Sequence, residues 1–213
     1  MSAAADDAPL VAAVDDAVYG EQLLGWLLAL AAGLQRPLSL VCVESVAALG
    51  AAALPSTQVL PHGGAAWQPL RRDDVELGFR AQAARLQAAV ARAARAGAAP
   101  ASLRVLRGGL VETSRHLWAE TNLLVLASAP WVTPLPAAAL QGRPPRVALL
   151  PAGNGDGAQA RAAAVAARLG QVLGAGAGGA ARFGPMAAPD LLVLARREPD
   201  PALLRRGPLL LVG

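Results

Sequence analysis

The feature that most restricts the fold is a set of short apolar runs separated by longer stretches of helical spacing. Leu10 to Val14, Leu38 to Val43, Leu103 to Leu106 and Leu123 to Ala127 are mostly aliphatic and only four to six residues long. A half-solvated strand alternates apolar and polar residues, whereas a strand covered on both faces does not. These runs therefore read as buried parallel strands. Between the first two, Leu23, Leu24, Leu27, Leu28, Ala31 and Leu34 recur at intervals that predict a helix from about Ala17 to Leu34. Asp73 reads as the cap of a second helix to about Ala96, closed by Gly97. The Gly108-Gly109 turn leads into a third, from Val111 to Glu120.

This order predicts an α/β fold: a doubly wound parallel sheet with right-handed crossovers. Ligands of such sheets bind beyond the carboxyl ends of the strands. Asp15-Asp16, Val43-Glu44-Ser45, Gly108-Gly109 and Ser128 to Pro134 are thus expected to share one edge. Ala47 to Arg72, with Pro55, Pro61, Gly63, Gly64 and Pro69, is too long for an ordinary connection. It reads as a lid or a loosely structured insertion.

The C-terminal third repeats part of this pattern. Asn122-Leu-Leu-Val-Leu-Ala127 recurs as Asp190-Leu-Leu-Val-Leu-Ala195, and Pro145 to Leu150 has a looser echo in Pro208 to Val212. A strand at Val147 to Leu150 leads through Gly153 to Gly157 into a helix from about Ala158 to Leu173. The expected organisation is an α/β domain over residues 1–144. A truncated second half-repeat, 145–213, would pack on it or extend it.

Composition removes several chemistries. All 19 basic residues are Arg, so neither a P-loop lysine nor a Schiff base is available. The net charge of +4 is spread along the chain without the basic, aromatic-studded face that nucleic acid needs. A single cysteine, Cys42, excludes an internal disulfide framework and reads as a small buried hydrophobe. The first residues carry Asp6 and Asp7 and no positive run, so no secretory leader is expected. The apolar stretch Leu23 to Leu34 is too short to insert in a membrane. A cytoplasmic location is expected.

No catalytic set emerges. Ser114 and His116 stand two apart on one predicted helix and do not face each other, and His62 lies in the long insertion. The two histidines have no metal-ligand spacing, so no metal is expected. Gly153 to Gly157 reads as a flexible connection with an Asp cap rather than an anion loop. Trp26 and Trp118 occupy helical core positions. Trp67 and Trp131 lie in loops, where they could stack on a base, cover a site or form an interface.

The ordered set Val11-Ala-Ala-Val-Asp15-Asp16-Ala17, Leu38 to Glu44, Leu106-Arg-Gly-Gly109 through Trp118, and Asn122 to Ala127 resembles the universal stress protein family. The resemblance covers most of residues 10 to 151, and 145 to 213 weakly. It implies the adenine-nucleotide alpha-hydrolase-like version of the fold. It also implies a ligand edge at Asp15, Asp16, Val41, Val43, Gly108, Gly109, Val111 and Ser128. Asp15 would meet a ribose or amine, the backbone of Val41 to Val43 a base, and Gly109 with Val111 the rim. Capping of a helix explains Asp15 and Asp16 equally well. ATP-binding members carry a Gly-x2-Gly-x9-Gly-Ser/Thr loop after the fourth strand. Here Ser128 to Leu140 contains no glycine and three prolines, which remove N–H donors.

The resemblance implies a non-enzymatic regulatory or interaction module of the stress response, with a degenerate nucleotide site. Two alternatives stay open: an ATP or AMP sensor, and a regulatory domain related to those of cation transporters. The assembly implied is a homodimer, or an internal pseudo-dimer completed by the half-repeat.

Overall fold

The computed structural model describes residues 8–60, 66–128, 147–150, 156–172, 191–194 and 209–212. Its strands are β1 (Leu10–Val14), β2 (Leu38–Ser45), β3 (Gln58–Val59), β4 (Gln68–Pro69), β5 (Ala101–Gly108), β6 (Leu123–Ala127), β7 (Val147–Leu150), β8 (Leu191–Leu194) and β9 (Leu209–Val212). The described helices are α1 (Ala17–Gly33), α2 (Val46–Ala52), α3 (Arg72–Arg95), α4 (Leu110–Leu117) and α5 (Asp156–Val172).

Among the described residues the central sheet runs β5-β2-β1-β6-β9-β8-β7. The first four strands are parallel, with Leu38 to Ser45 of β2 registered against Ala101 to Gly108 of β5. The class is α/β, as expected, but the sheet is not wholly parallel. β9 pairs antiparallel with β6 and parallel with β8, which is parallel to β7. The carboxyl ends of β7, β8 and β9 therefore point to the edge opposite that of β1, β2, β5 and β6.

Side chains alternate across the sheet into two cores. Leu10, Ala12, Val14, Leu38, Leu40, Cys42, Val125 and Leu210 face α1, α3 and α5. Val11, Ala13, Val41, Val43, Leu124, Leu126, Leu209 and Leu211 pack on the other face, with Leu110 and Leu117 of α4. α1 is apolar nearly all round, and its position explains why. It covers the sheet while α3 packs on one flank and α5 on the other, so no broad face is left to solvent. Gly20 lets it sit close: a Cβ there would lie 3.0 Å from Val14 Cγ2 and 3.2 Å from Leu86 Cδ2.

α1 ends in a Schellman motif, with Arg36 N–H donating to Ala31 O and Gln35 N–H to Ala32 O. Gln35 takes the left-handed position, φ 56°, that glycine usually fills. Arg168 of α5 donates to Gly33 O and to Gln35 Oε1, both at 3.1 Å, tying α5 to this exit. At the amino edge of the sheet, Thr121 Oγ lies 2.5 Å from Pro9 O and accepts from Leu123 N–H at 3.0 Å. One hydroxyl thus joins the entries of β1 and β6.

Two expectations are corrected. The stretch from Ala47 to Arg72 is not simply irregular: it contains α2, capped by Ser45 Oγ accepting from Ala48 N–H, and the antiparallel β3–β4 ladder. Nor does Asp73 cap α3. The N-cap is Arg71, without a side-chain cap bond, and Asp73 and Asp74 lie in the first turn, where the helix dipole favours carboxylates. At 24 residues α3 is about 36 Å long. β5, at 8 residues, spans only about 26 Å. The fully buried residues of α3 are Leu86, Ala89 and Val90, in its second half. Its amino-terminal turns overhang the carboxyl edge of β5.

Candidate functional site

The carboxyl ends of β1, β2, β5 and β6 gather most of the expected site residues at one edge. Asp16 is in extended conformation, φ −139° and ψ 130°, and its Oδ1 accepts from Tyr19 N–H at 2.7 Å. It is the N-cap of α1. Asp15 has a different role: its Oδ2 accepts from Ser128 Oγ at 2.5 Å, joining the exits of β1 and β6. The sequence treats the two aspartates as equivalent caps, and the structure separates them.

Val41 and Val43 bury their side chains in the core beneath α4. Val41 lies inside ladders on both sides, opposite Ala13 of β1 and Arg104 of β5. The β1 ladder ends at Val14 opposite Cys42, so Val43 lies just past its last pair. Of these two, only Val43 has main chain at an open edge. Gly108 ends β5, and a Cβ there would sit 2.8 Å from Thr113 Oγ1. Glycine is required because α4 folds back tightly on this turn. Gly109 is the N-cap of α4 with φ −93° and open space around it, and Val111 packs on the second core.

The residue that sequence reasoning passed over is Glu44, with its partner Arg107. They are register neighbours on β2 and β5, and Arg107 Nε donates to Glu44 Oε2 at 2.8 Å. Glu44 is only 8% exposed, so this bond satisfies a carboxylate largely removed from water. The same bond holds the Arg107 guanidinium above its ordinary pKa. Asp15, Asp16 and Glu44 all bear on the thiol of Cys42. Burial first, then these three carboxylates, push it from 9.0 up to about 11. Burial and then Asp15 push the Tyr19 hydroxyl from 10.0 to about 12. The edge is acidic, and the guanidinium of Arg107 is already engaged there.

Other expected features fall away from this edge. Ser114 is fully buried and donates to Val111 O at 2.6 Å, within its own helix turn, so it faces no histidine. Trp67 is 65% exposed. A cleft of about 360 Å³ lies between α2, the β3–β4 hairpin and the start of α3. Its lining includes Leu54, Pro55, Pro69 and Arg71 but not Asp15, Glu44, Gly108 or Ser128. Among the described residues no three His, Cys, Asp or Glu side chains are placed to hold a metal ion. Likewise no described helix is long and apolar enough to cross a membrane. His62, Trp131, the rest of the Ser128 to Leu140 stretch and the Gly153 to Gly155 segment lie outside the described residues.

The environment of Cys42 has a measurable consequence. A buried thiol that stays protonated is a poor nucleophile, so iodoacetamide at pH 8 will leave the folded protein unmodified and alkylate Cys42 only in denaturant. The sign of the pH effect follows from the same shifts. Cys42 and Tyr19 ionise later in the folded chain than in the unfolded one. Their contribution is complete below pH 9 and is lost between about pH 9 and 12. A urea midpoint that falls across this window will confirm it, and rapid alkylation of the native protein will contradict it.

The chain matches none of the protein-family models, and no curated protein is significantly similar to it.

Proposed function

We propose that the chain is a universal-stress-protein-like regulatory or interaction module, without catalytic activity, whose nucleotide edge no longer holds a polyphosphate. The observation that carries this reading is the charge at the carboxyl edge. Asp15, Asp16 and Glu44 meet there, and the adjacent guanidinium of Arg107 is committed to Glu44. A triphosphate would bring several negative charges to an edge where carboxylates already face one another, at a repulsion that low dielectric strengthens. The proline-rich sequence after Ser128 supports the same reading, because it supplies few N–H donors. So does the parallel order β5-β2-β1-β6, which gathers Asp15, Val43, Gly108 and Ser128 at the edge where ligands of such sheets bind.

The half-repeat completes the proposal. β9 closes the flank of β6 in antiparallel fashion, as a second copy of a sheet would. We read residues 145–213 as the in-chain counterpart of residues 1–144, an internal pseudo-dimer.

Thermal shift with ATP, AMP and adenosine tests the nucleotide edge. Saturating ATP will leave the melting temperature unchanged. A ligand present at 100 times its Kd stabilises by about 2.7 kcal/mol, so a clear upward shift with ATP or AMP will favour the nucleotide-sensor alternative instead.

A further inference from the structure

We propose that the seam between β6 and β9 is a strand-exchange interface through which a second copy of this chain docks. β9 is the strand that joins the two parts of the sheet: it pairs antiparallel with β6 and parallel with β8. Its two neighbours carry the same tetrapeptide, Leu-Leu-Val-Leu, at 123–126 and at 191–194. β9 itself is Leu-Leu-Leu-Val. Each registered pair of the seam, from Leu123 opposite Val212 to Leu126 opposite Leu209, joins two aliphatic side chains. A one-residue slip again sets aliphatic against aliphatic.

Strand register is ordinarily fixed by the difference between a buried and a solvated face. Strands without that difference are prone to alternate pairing and domain swapping. Here both faces are buried: Leu209 and Leu211 in one core, Leu210 and Val212 in the other. Nothing in the side-chain pattern marks β6 of one copy as a better partner for β9 than β6 of another. An exchanged dimer keeps the same pairs, so protein concentration during folding decides which form is populated. Once formed, the exchanged form separates only by opening buried ladders, which makes it long-lived. This inference rests on the seam alone and not on the nucleotide reading, so thermal shift with ATP leaves it untouched.

The test uses the full chain. Leu124 and Leu211 are register partners across the seam, so L124C and L211C are combined and the protein is refolded at micromolar and at near-millimolar concentration before oxidation. Denaturing electrophoresis without reductant will show an intrachain disulfide from the dilute refolding. The disulfide-linked dimer will increase with concentration. Intrachain bonds alone at every concentration will overturn the proposal, including when light scattering shows a dimer. A second measurement guards against a variant that does not fold. Unaltered protein, half of it labelled with 15N, is refolded as a mixture at high concentration and examined by native mass spectrometry. Mixed dimers that persist for hours after dilution are expected. Absence of dimers, or dimers that dissociate within minutes of dilution, will overturn it.

Discussion

Leu210→Asp will abolish the cooperative folding transition. Leu210 is fully buried in β9, opposite Val125 of β6 on one side and Val193 of β8 on the other. Truncating a buried leucine to alanine costs about 2–5 kcal/mol. A carboxylate at the same place adds the cost of an unpaired charge removed from water, several kcal/mol more even after relaxation. Domains of this kind are stable by only about 5–15 kcal/mol. Leu210→Ala, the milder control, will lower the urea midpoint by the amount a single core truncation carries while leaving a cooperative transition. If Leu210→Asp melts cooperatively near the unaltered protein, β9 is not an internal strand and the sheet order is wrong.

Gly20→Leu will destabilise nearly as strongly, for a different reason. Gly20 lies where α1 crosses β1 beneath α3, and the first carbon of any side chain already meets Val14 and Leu86. Overpacking costs about 1–3 kcal/mol, occasionally more. Leucine adds three further carbons in a layer where Leu23, Leu27 and Leu86 leave no space. Gly20→Ala is the informative companion. Alanine gains about 1 kcal/mol in helix propensity over glycine, which offsets a contact that needs a shift of only a few tenths of an ångström. The alanine variant will melt close to the unaltered protein and the leucine variant several degrees lower. Equal stability of the two will show that α1 does not approach β1 as closely as described.

Both effects depend on sheet positions that differ in how far they can be read from sequence. β1, β6, β7 and β9 stand where the apolar runs place them, because a strand buried on both faces has no polar residue to blur its limits. β5 is longer than its apolar run, Ala101–Gly108 rather than Leu103 to Leu106. It is the edge strand, half-exposed along its length, and Arg104 and Arg107 interrupt the pattern while pairing with Glu120 and Glu44. α2 was hidden because it is a short helix whose only start signal is Ser45. The direction of β9 is not written in its residues. Leu-Leu-Leu-Val has no face and no polarity, so parallel and antiparallel pairing bury the same side chains.

The edge was legible as a location and not as a network. Asp15, Asp16, Gly108 and Ser128 could be assigned to it from the ends of the apolar runs. That Asp16 caps α1 while Asp15 holds Ser128 depends on backbone geometry at one residue. The Glu44–Arg107 bond depends on the register of β2 against β5, and a single sequence carries no information on which residues of two parallel strands stand opposite. This pairing matters most to the proposed function, since it occupies a guanidinium that could otherwise have met a phosphate.

Native mass spectrometry of the full chain as purified, without added ligand, tests that function most directly. The account predicts the mass of the polypeptide alone, unchanged after incubation with ATP and magnesium. A species heavier by one nucleotide that survives buffer exchange will contradict it, because it will show that the acidic edge holds the phosphates that its carboxylates are expected to repel.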